Sequence, residues 1–317
     1  MRSGEFATLA RLAQQFESAP SFLRVGIGDD AAVLDPPPGM QLVWTVDEQL
    51  EGTHFRRAWL GGEDIGWRAL MAAASDVAAM GAMPWCALAA WTLSGELDDA
   101  DVDALTRGTQ RAARSLNAPI VGGNLSRGGA LSLTTTVLGA CSHPIKRSGA
   151  LPGDGIYVAG TLGLAAAGLA ALERGAVESQ DPTVDHVIAA WKRPSALVED
   201  GLRMALVAHA AIDVSDGLAQ DLGHVAAASG VRAVLDEMAL TEHAHGIGLV
   251  VATTALRLDP LELILHGGED YALVVASPEP IPGFWRVGSF EEGTGVVLRG
   301  VAGDERSVAA RGFDHFR

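Results

Sequence analysis

The sequence predicts an α/β protein of the α+β type, built as two domains. Three observations lead there. Helix-like and strand-like stretches follow one another along the whole chain, and the turn-rich segment SGALPGDG at 148–155 divides them. The 317 residues, 48% hydrophobic and with 38 glycines, suffice to bury two cores. The domains are then residues 1–145 and 146–317.

At the start, MRSGEFATLARLAQQF has the spacing of an amphipathic helix, and Glu5 and Glu17 distinguish it from a secretion signal. MQLVWTVD at 40–47 reads as a strand. DIGWRALMAAASDVAAM at 64–80 reads as a helix closed by Gly81, residues 98–116 as a helix opened by an aspartate pair, and LSLTTTVLGA at 131–140 as a strand. Beyond the divide come the short strand IYVAG, an alanine-rich helix at 162–174, helices at 184–191 and 196–210, and another helix after IDVSDG. The strands YALVVA, WRVGSF and GVVLRG close the chain. No repeat of 20 to 50 residues and no low-complexity tract interrupts this order.

Charge and composition exclude several classes of function. With 39 acids against 23 bases, a net charge of -16 and no basic tract, the chain is a poor partner for nucleic acid. It lacks a run of about 18 uncharged apolar residues that could cross a bilayer, and the expected location is the cytoplasm. Cys86 and Cys141, far apart and without neighbours at metal-ligand spacing, read as packing residues rather than a disulfide or zinc site.

GIGDDAAVLD at 26–35 imitates the dinucleotide fingerprint GxGxxA, yet Asp29 and Asp30 stand where their charge would repel a pyrophosphate. Four more acidic motifs accompany it: TVDEQLEGTHF at 45–55, SDVAAMG at 75–81, DVSDGLAQDL at 213–222 and GGEDY at 267–271. Each has an ordinary reading alone. GDD can be a turn with a helix cap, SDG is a common helix start with Ser215 or Asp216 as the cap, GGEDY can be a plain turn and His54 a buried histidine. Asp76 is harder to dismiss, because on a helical wheel it lies within about 20° of Ile65, Ala69 and Ala72, on the packed face. A buried acid needs a partner, and a metal supplies one. Five such motifs in one chain favour a site of several oxygen-ligated divalent ions, through which an acidic protein can bind phosphates. The phosphate loop GxxxxGK[ST] is absent, since the only lysines are Lys146 and Lys192, and the protein-kinase signatures are absent too. Arg147, beside the glycine-containing boundary loop, is the best-placed cation for a nucleotide.

In order and over essentially the whole chain, GEF near the start, GIGDDAAVL, TVDEQLEGTHF, RALMAAASDVAAMGAMP, VGGNLSRG, KRSGALPGDGIYVAGTLG, AIDVSDGLAQDLGH, GGEDYALVV and the terminal GFDHF resemble thiamine-monophosphate kinases. SDGL and GGED are shared with a wider superfamily of aminoimidazole ribonucleotide synthetases, selenophosphate synthetases and hydrogenase-maturation dehydratases, whereas GEF, EGTHF and GFDHF point to the thiamine member. The resemblance implies phosphorylation of thiamine monophosphate by ATP in a homodimer, with an N-terminal half whose mixed sheet forms a shared barrel and binds ATP and Mg²⁺, and a C-terminal α/β domain. It implies Mg²⁺ ligands at Asp30, Thr45, Asp47, Asp76, Asp213 and Asp216, with Asp47 and Asp216 at the centre of catalysis. It places Gly123, Asn124, Arg147 and Ser215 along the nucleotide, and His54, Glu269 and Phe313 on the thiamine monophosphate.

Two positions depart from the family pattern. Val46 replaces one residue of a hydroxyl pair, and Asn124 replaces the aspartate of GGD, leaving an amide oxygen that can ligate Mg²⁺ without charge. The nearest rival is another ATP-dependent enzyme of the superfamily, of the aminoimidazole ribonucleotide synthetase kind. From a different class, the rival is a non-catalytic nucleotide- or metal-binding relative.

Overall fold

The computed structural model describes residues 4–16, 20–177, 179 and 181–313, leaving aside the side chains of Glu5 and Phe6. Glu17 and residues 314–316 of the terminal GFDHF motif lie outside that range. The chain divides into two compact units, residues 1–77 with 82–143, and residues 78–81 with 144–317.

The first unit begins with α1 (Glu5–Gln15), followed by a two-stranded ribbon of β1 (Leu23–Val25) and β2 (Val33–Leu34). Its main sheet has four strands, β3 (Gln41–Leu50), β4 (Met83–Ser94), β5 (Ile120–Gly128) and β6 (Ser132–Cys141), in the order β3-β6-β4-β5. It is mixed, with β4 and β5 parallel and the other pairs antiparallel. Two helices belong to this unit, α2 (Gly62–Ala79), up to Val77, and α3 (Asp99–Ser115). Asp98 caps α3 in a reciprocal capping box with Asp101, which makes the aspartate pair a true helix start. Gly66 and Gly108 let α2 and α3 approach closely. An added Cβ would come within 2.1 Å of the Leu105 carbonyl oxygen at Gly66, and within 1.9 Å of the Glu63 carbonyl oxygen at Gly108.

The second unit is a seven-stranded sheet in the order β13-β12-β9-β11-β7-β10-β8. These strands are β7 (Gly155–Ala159), β8 (Ala210–Val214), β9 (Arg232–Asp236), β10 (Ala272–Ser277), β11 (Trp285–Glu291), β12 (Gly295–Arg299) and β13 (Glu305–Ser307). Its helices are α4 (Leu164–Glu173), α5 (Pro182–Lys192), α6 (Val198–Met204), α7 (Leu218–Ser229), α8 (Glu237–Gly246), α9 (Leu249–Leu256) and α10 (Pro260–His266). Alternation along the strands sends Ile156, Val158, Ile212 and Val274 into a large core with α4, α5 and α7 to α10. Tyr157, Ala159, Leu273 and Val275 face the other way, against Met204 and the segment at 78–79.

The sequence expectation differs from the structure at several elements: β1, β2, β9, β13 and α8 to α10 are not assigned from the sequence, and two further differences bear on the sheets. The helix expected at 196–210 ends at Met204, and β8 begins at Ala210. β4 and β5, which the sequence pattern does not resolve into strands, form the parallel pair of the first sheet. Among the described residues no helix is long and apolar enough to cross a membrane.

Candidate active site

In the first unit, the two-residue period of β3 puts Val43, Thr45, Asp47 and Gln49 on one face and Leu42, Trp44, Val46 and Glu48 on the other. On α2, Ile65, Ala69 and Ala72 are buried, and Asp76 shares their stripe. The Thr45 hydroxyl donates to Asp76 Oδ2 at 2.5 Å. Burial pushes the Asp47 carboxyl up to about 6, and the Asp76 charge acts in the same direction. The Glu48 amide, donating to Asp47 Oδ1 at 2.6 Å, and the Gln49 side chain oppose that shift. Behind them Arg68, fully buried, donates from Nε to Gln49 Oε1 at 3.1 Å. Gln49 and Arg68 were not singled out from the sequence, yet they connect a buried cation to the Asp47 carboxylate. Val46 is 62% exposed and faces away from Thr45 and Asp47, so a hydroxyl at that position would leave their face of the sheet unchanged.

The predicted residues elsewhere in this unit occupy separate places. His54 lies in the turn after β3, where its Nδ1 accepts the Leu50 amide at 3.0 Å; the neutral ring therefore carries its proton on Nε2. Asp30 is exposed between β1 and β2, with its amide donating to Asp29 Oδ1 at 2.8 Å. Gly123 needs to be glycine, because a Cβ there would come within 1.9 Å of the Ala89 carbonyl oxygen on β4. With Asn124 it lines a small cleft of about 80 Å³ whose apolar wall includes Leu12, Phe16 and Trp91.

In the second unit β8 is buried throughout, including Asp213 at 5% exposure, and it delivers Ser215 and Asp216 at its end. Neither caps the following helix. α7 starts after Gly217 without a side-chain cap, and the buried Asp221 reaches back to accept the Asp216 and Gly217 amides at 3.0 Å each. Burial raises the Asp221 carboxyl to about 7, and the Asp216 charge adds to that rise. Asp216 Oδ2 accepts from the Gln220 side chain at 3.1 Å.

The GGEDY loop runs alongside. The Glu269 amide donates to the Ser215 carbonyl and the Tyr271 amide to the Val214 carbonyl, both at 2.8 Å. Gly268 permits this approach, since a Cβ there would meet the Ser215 carbonyl oxygen at 2.4 Å. Glu269 has φ +66° and accepts the Trp191 indole N–H at 2.6 Å, while Asp270 accepts the Gly163 and Ala165 amides at the start of α4. Phe313, 48% exposed, donates its amide to the Asp216 carbonyl and receives Gln220 Nε2 on its own carbonyl, both at 3.3 Å. Ser215, Asp216, Glu269 and Phe313, distant in sequence, therefore adjoin. Arg147 is exposed on the boundary loop, and its carbonyl accepts the Ser229 hydroxyl at the far end of α7.

Among the described residues no three acidic, histidine or cysteine side chains converge into a preformed metal cage. Asp47, Asp76 and Thr45 fit Mg²⁺ in another manner, as the one or two carboxylates and a hydroxyl to which substrate phosphates and water add the remaining ligands. A cation there would also relieve the cost of ionising Asp47 beside Asp76.

The descriptions of two family models match the chain: AIR synthase related protein, N-terminal domain, over residues 28–141, and the C-terminal domain of the same description over residues 152–299. The thiamine-monophosphate kinase of Mycobacterium tuberculosis (strain H37Rv) is 37% identical over 306 residues, which cover 95% of this chain and 89% of that one. The thiamine-monophosphate kinase of Aquifex aeolicus (strain VF5) is 31% identical over 321 residues, covering 99% and 98%. A solved structure described as AaThiL complexed with AMPPCP and TMP matches with a TM-score of 0.81 at 31% identity, covering 100% of this chain and 99% of that one.

Proposed function

The chain belongs to the thiamine-monophosphate kinase family, and from that premise we propose that it transfers the γ-phosphoryl group of ATP to the phosphate of thiamine monophosphate, yielding ADP and thiamine diphosphate. The observation that carries the reading is that backbone hydrogen bonds tie Glu269 to Ser215 and Phe313 to Asp216, which supports their belonging to one site. A relative at 31% identity is described as complexed with AMPPCP and TMP, and AMPPCP is an ATP analogue with a methylene bridge between its β- and γ-phosphorus atoms.

In this reading Asp30, Thr45, Asp47, Asp76, Asp213 and Asp216 are the groups that would hold Mg²⁺. When bound, Mg²⁺ supplies charge neutralisation and a template for two polyanions that otherwise repel each other. The N–H on His54 Nε2 is a donor for a phosphate oxygen. Gly123 and Asn124 border the nucleotide, with the Arg147 guanidinium and Ser215 along its phosphates. Phe313 stacks on a ring of the thiamine and Glu269 accepts from its N–H donors. A phosphate oxygen of thiamine monophosphate attacks the γ-phosphorus in line, and the bond to the β,γ-bridging oxygen breaks with its electron pair leaving on ADP. No side chain need act as a base, because a phosphate monoester has a second pKa near 6 and is largely deprotonated at neutral pH.

The same reading makes residues 1–145 the ATP-, Mg²⁺- and dimer-forming part and residues 146–317 the second α/β part. It implies the cytoplasm, where ATP is available. It also includes a homodimer whose sheets close into a barrel, which the exposure of Leu42, Trp44 and Val46, at 49%, 72% and 62%, supports.

The test is incubation of the purified chain with ATP, Mg²⁺ and thiamine monophosphate, with thiamine diphosphate and ADP as the expected products. Asp47→Ala and Asp216→Ala should each abolish transfer while the circular-dichroism spectrum stays native. Absence of product, or near-wild-type turnover of either variant at saturating Mg²⁺, would overturn the proposal.

A further inference from the structure

Two consecutive acids of the GGEDY loop are held by two helices that are themselves locked together. Asp270 accepts the Gly163 and Ala165 amides, which open α4, and Glu269 Oε2 accepts the indole N–H of Trp191, in the last turn of α5. α4 and α5 touch backbone to backbone, because a Cβ added at Gly168 would come within 2.1 Å of the Val187 carbonyl oxygen. Trp191 is 1% exposed, so packing leaves its ring a single orientation. Glu269 has φ +66°, which a non-glycine residue keeps only where its surroundings enforce it. Its amide is tied at the same time to the Ser215 carbonyl.

We propose that Trp191 is a positioning residue for substrate recognition: its indole N–H fixes the Glu269 carboxylate in the orientation that accepts the N–H donors of the thiamine moiety. The inference rests on the reading above that Glu269 holds thiamine monophosphate. A buried N–H on one oxygen at 2.6 Å is a charge-assisted bond, which defines the plane of the carboxylate as well as its position. Trp191 makes no contribution to phosphoryl transfer itself, so its loss acts on binding of one substrate.

The test is a double-mutant cycle with Trp191→Phe, which keeps an aromatic ring and removes the donor, and Glu269→Ala. Trp191→Phe should raise KM for thiamine monophosphate about tenfold or more, as expected for a hydrogen bond to a charged group, with KM for ATP and kcat within about twofold of wild type. In the Glu269→Ala background the same replacement should change KM by less than about twofold, since the group it orients is gone. If Glu269→Ala leaves KM for thiamine monophosphate unchanged, both the reading and the inference fall. If Glu269→Ala raises it and Trp191→Phe does not, or the two effects multiply independently, the inference falls alone. A measurement on the wild-type chain covers the event that Trp191→Phe does not fold. Of the indole ¹⁵N–¹H signals from the seven tryptophans, the one displaced by Glu269→Gln should move on adding thiamine monophosphate and stay in place on adding ATP. The opposite response would overturn the proposal.

Discussion

Asn124 stands exposed beside Gly123 on β5, where the resemblance to thiamine-monophosphate kinases leads to the expectation of an aspartate. An amide in place of a carboxylate weakens attraction to a divalent ion and also lowers repulsion of the triphosphate, so the two effects partly cancel. The expected result is an active enzyme with a high Mg²⁺ requirement, and Asn124→Asp should shift the curve of rate against free Mg²⁺ to lower concentration. Superimposable curves would remove Asn124 from any catalytic ion. Asp270 offers a residue-scale test of stability, because burial pushes its carboxyl up from 3.8 to about 7. Between those values the folded chain retains a proton that the unfolded chain has released. The stability it contributes is therefore present below about pH 4 and is lost as pH rises towards 7. Asp270→Asn cannot ionise, so its unfolding free energy relative to wild type should rise across that window, by at most about 4 kcal/mol, and stay level above it. Urea unfolding of both proteins at several pH values decides this; a difference independent of pH would mean that Asp270 titrates as an ordinary carboxylate. The acids at Asp47, Asp76 and Asp216 could be picked out from motif and helical phase. Trp191 could not, because its partner, the Glu269 carboxylate, lies 78 residues away in sequence and is close only after the chain folds. Asp221 lies only four and five residues beyond Gly217 and Asp216, and it was hidden instead because Ser215 and Asp216 are the residue types that usually cap a helix start.

Among the elements, the α2–α3 pair sets two rules against each other at Gly108. Helix propensity favours alanine over glycine by roughly 1 kcal/mol at an interior position. Packing opposes it, since a Cβ would stand 1.9 Å from the Glu63 carbonyl oxygen and the backbones would have to separate. Packing should win, with Gly108→Ala lowering stability by about 2–3 kcal/mol in thermal or urea unfolding. A stabilised variant would show that the helices can move apart without loss. Because α2 carries Asp76 against Thr45, the same variant should also loosen the Asp47 face. The strands around this pair were unequally legible. β3 and β6 alternate and stand out, whereas β4 is a nearly unbroken apolar run and β5 is interrupted by Gly122 and Gly123. Only the pairing of β5 with β4, possible because Gly123 has no side chain, makes that segment a strand. The helix starting at Val198 stops at Met204 because the chain must enter β8 at Ala210, pairing with β10, and this long-range demand overrides local pattern.

At the scale of the molecule, the face of the first sheet bearing Leu42, Trp44 and Val46 is a row of exposed apolar side chains on an edge strand, a feature that solvent alone does not favour. Trp44→Glu should shift a dimeric wild type to monomers in sedimentation equilibrium while leaving the circular-dichroism spectrum unchanged. A variant that stays dimeric would take this face out of the assembly. The sequence by itself determined the α/β class, the likeness to thiamine-monophosphate kinases and which acids are proposed for the chemistry, because these depend on local periodicity and on short motifs whose residues are neighbours in the chain. Only the tertiary structure decided that Asp221, rather than Ser215 or Asp216, holds the SDG loop, that Val46 faces away from Thr45 and Asp47, and that Glu269 and Phe313 join Asp216. The last of these relations is made by hydrogen bonds between segments tens of residues apart, and no local pattern encodes a distance that arises only when the chain closes on itself.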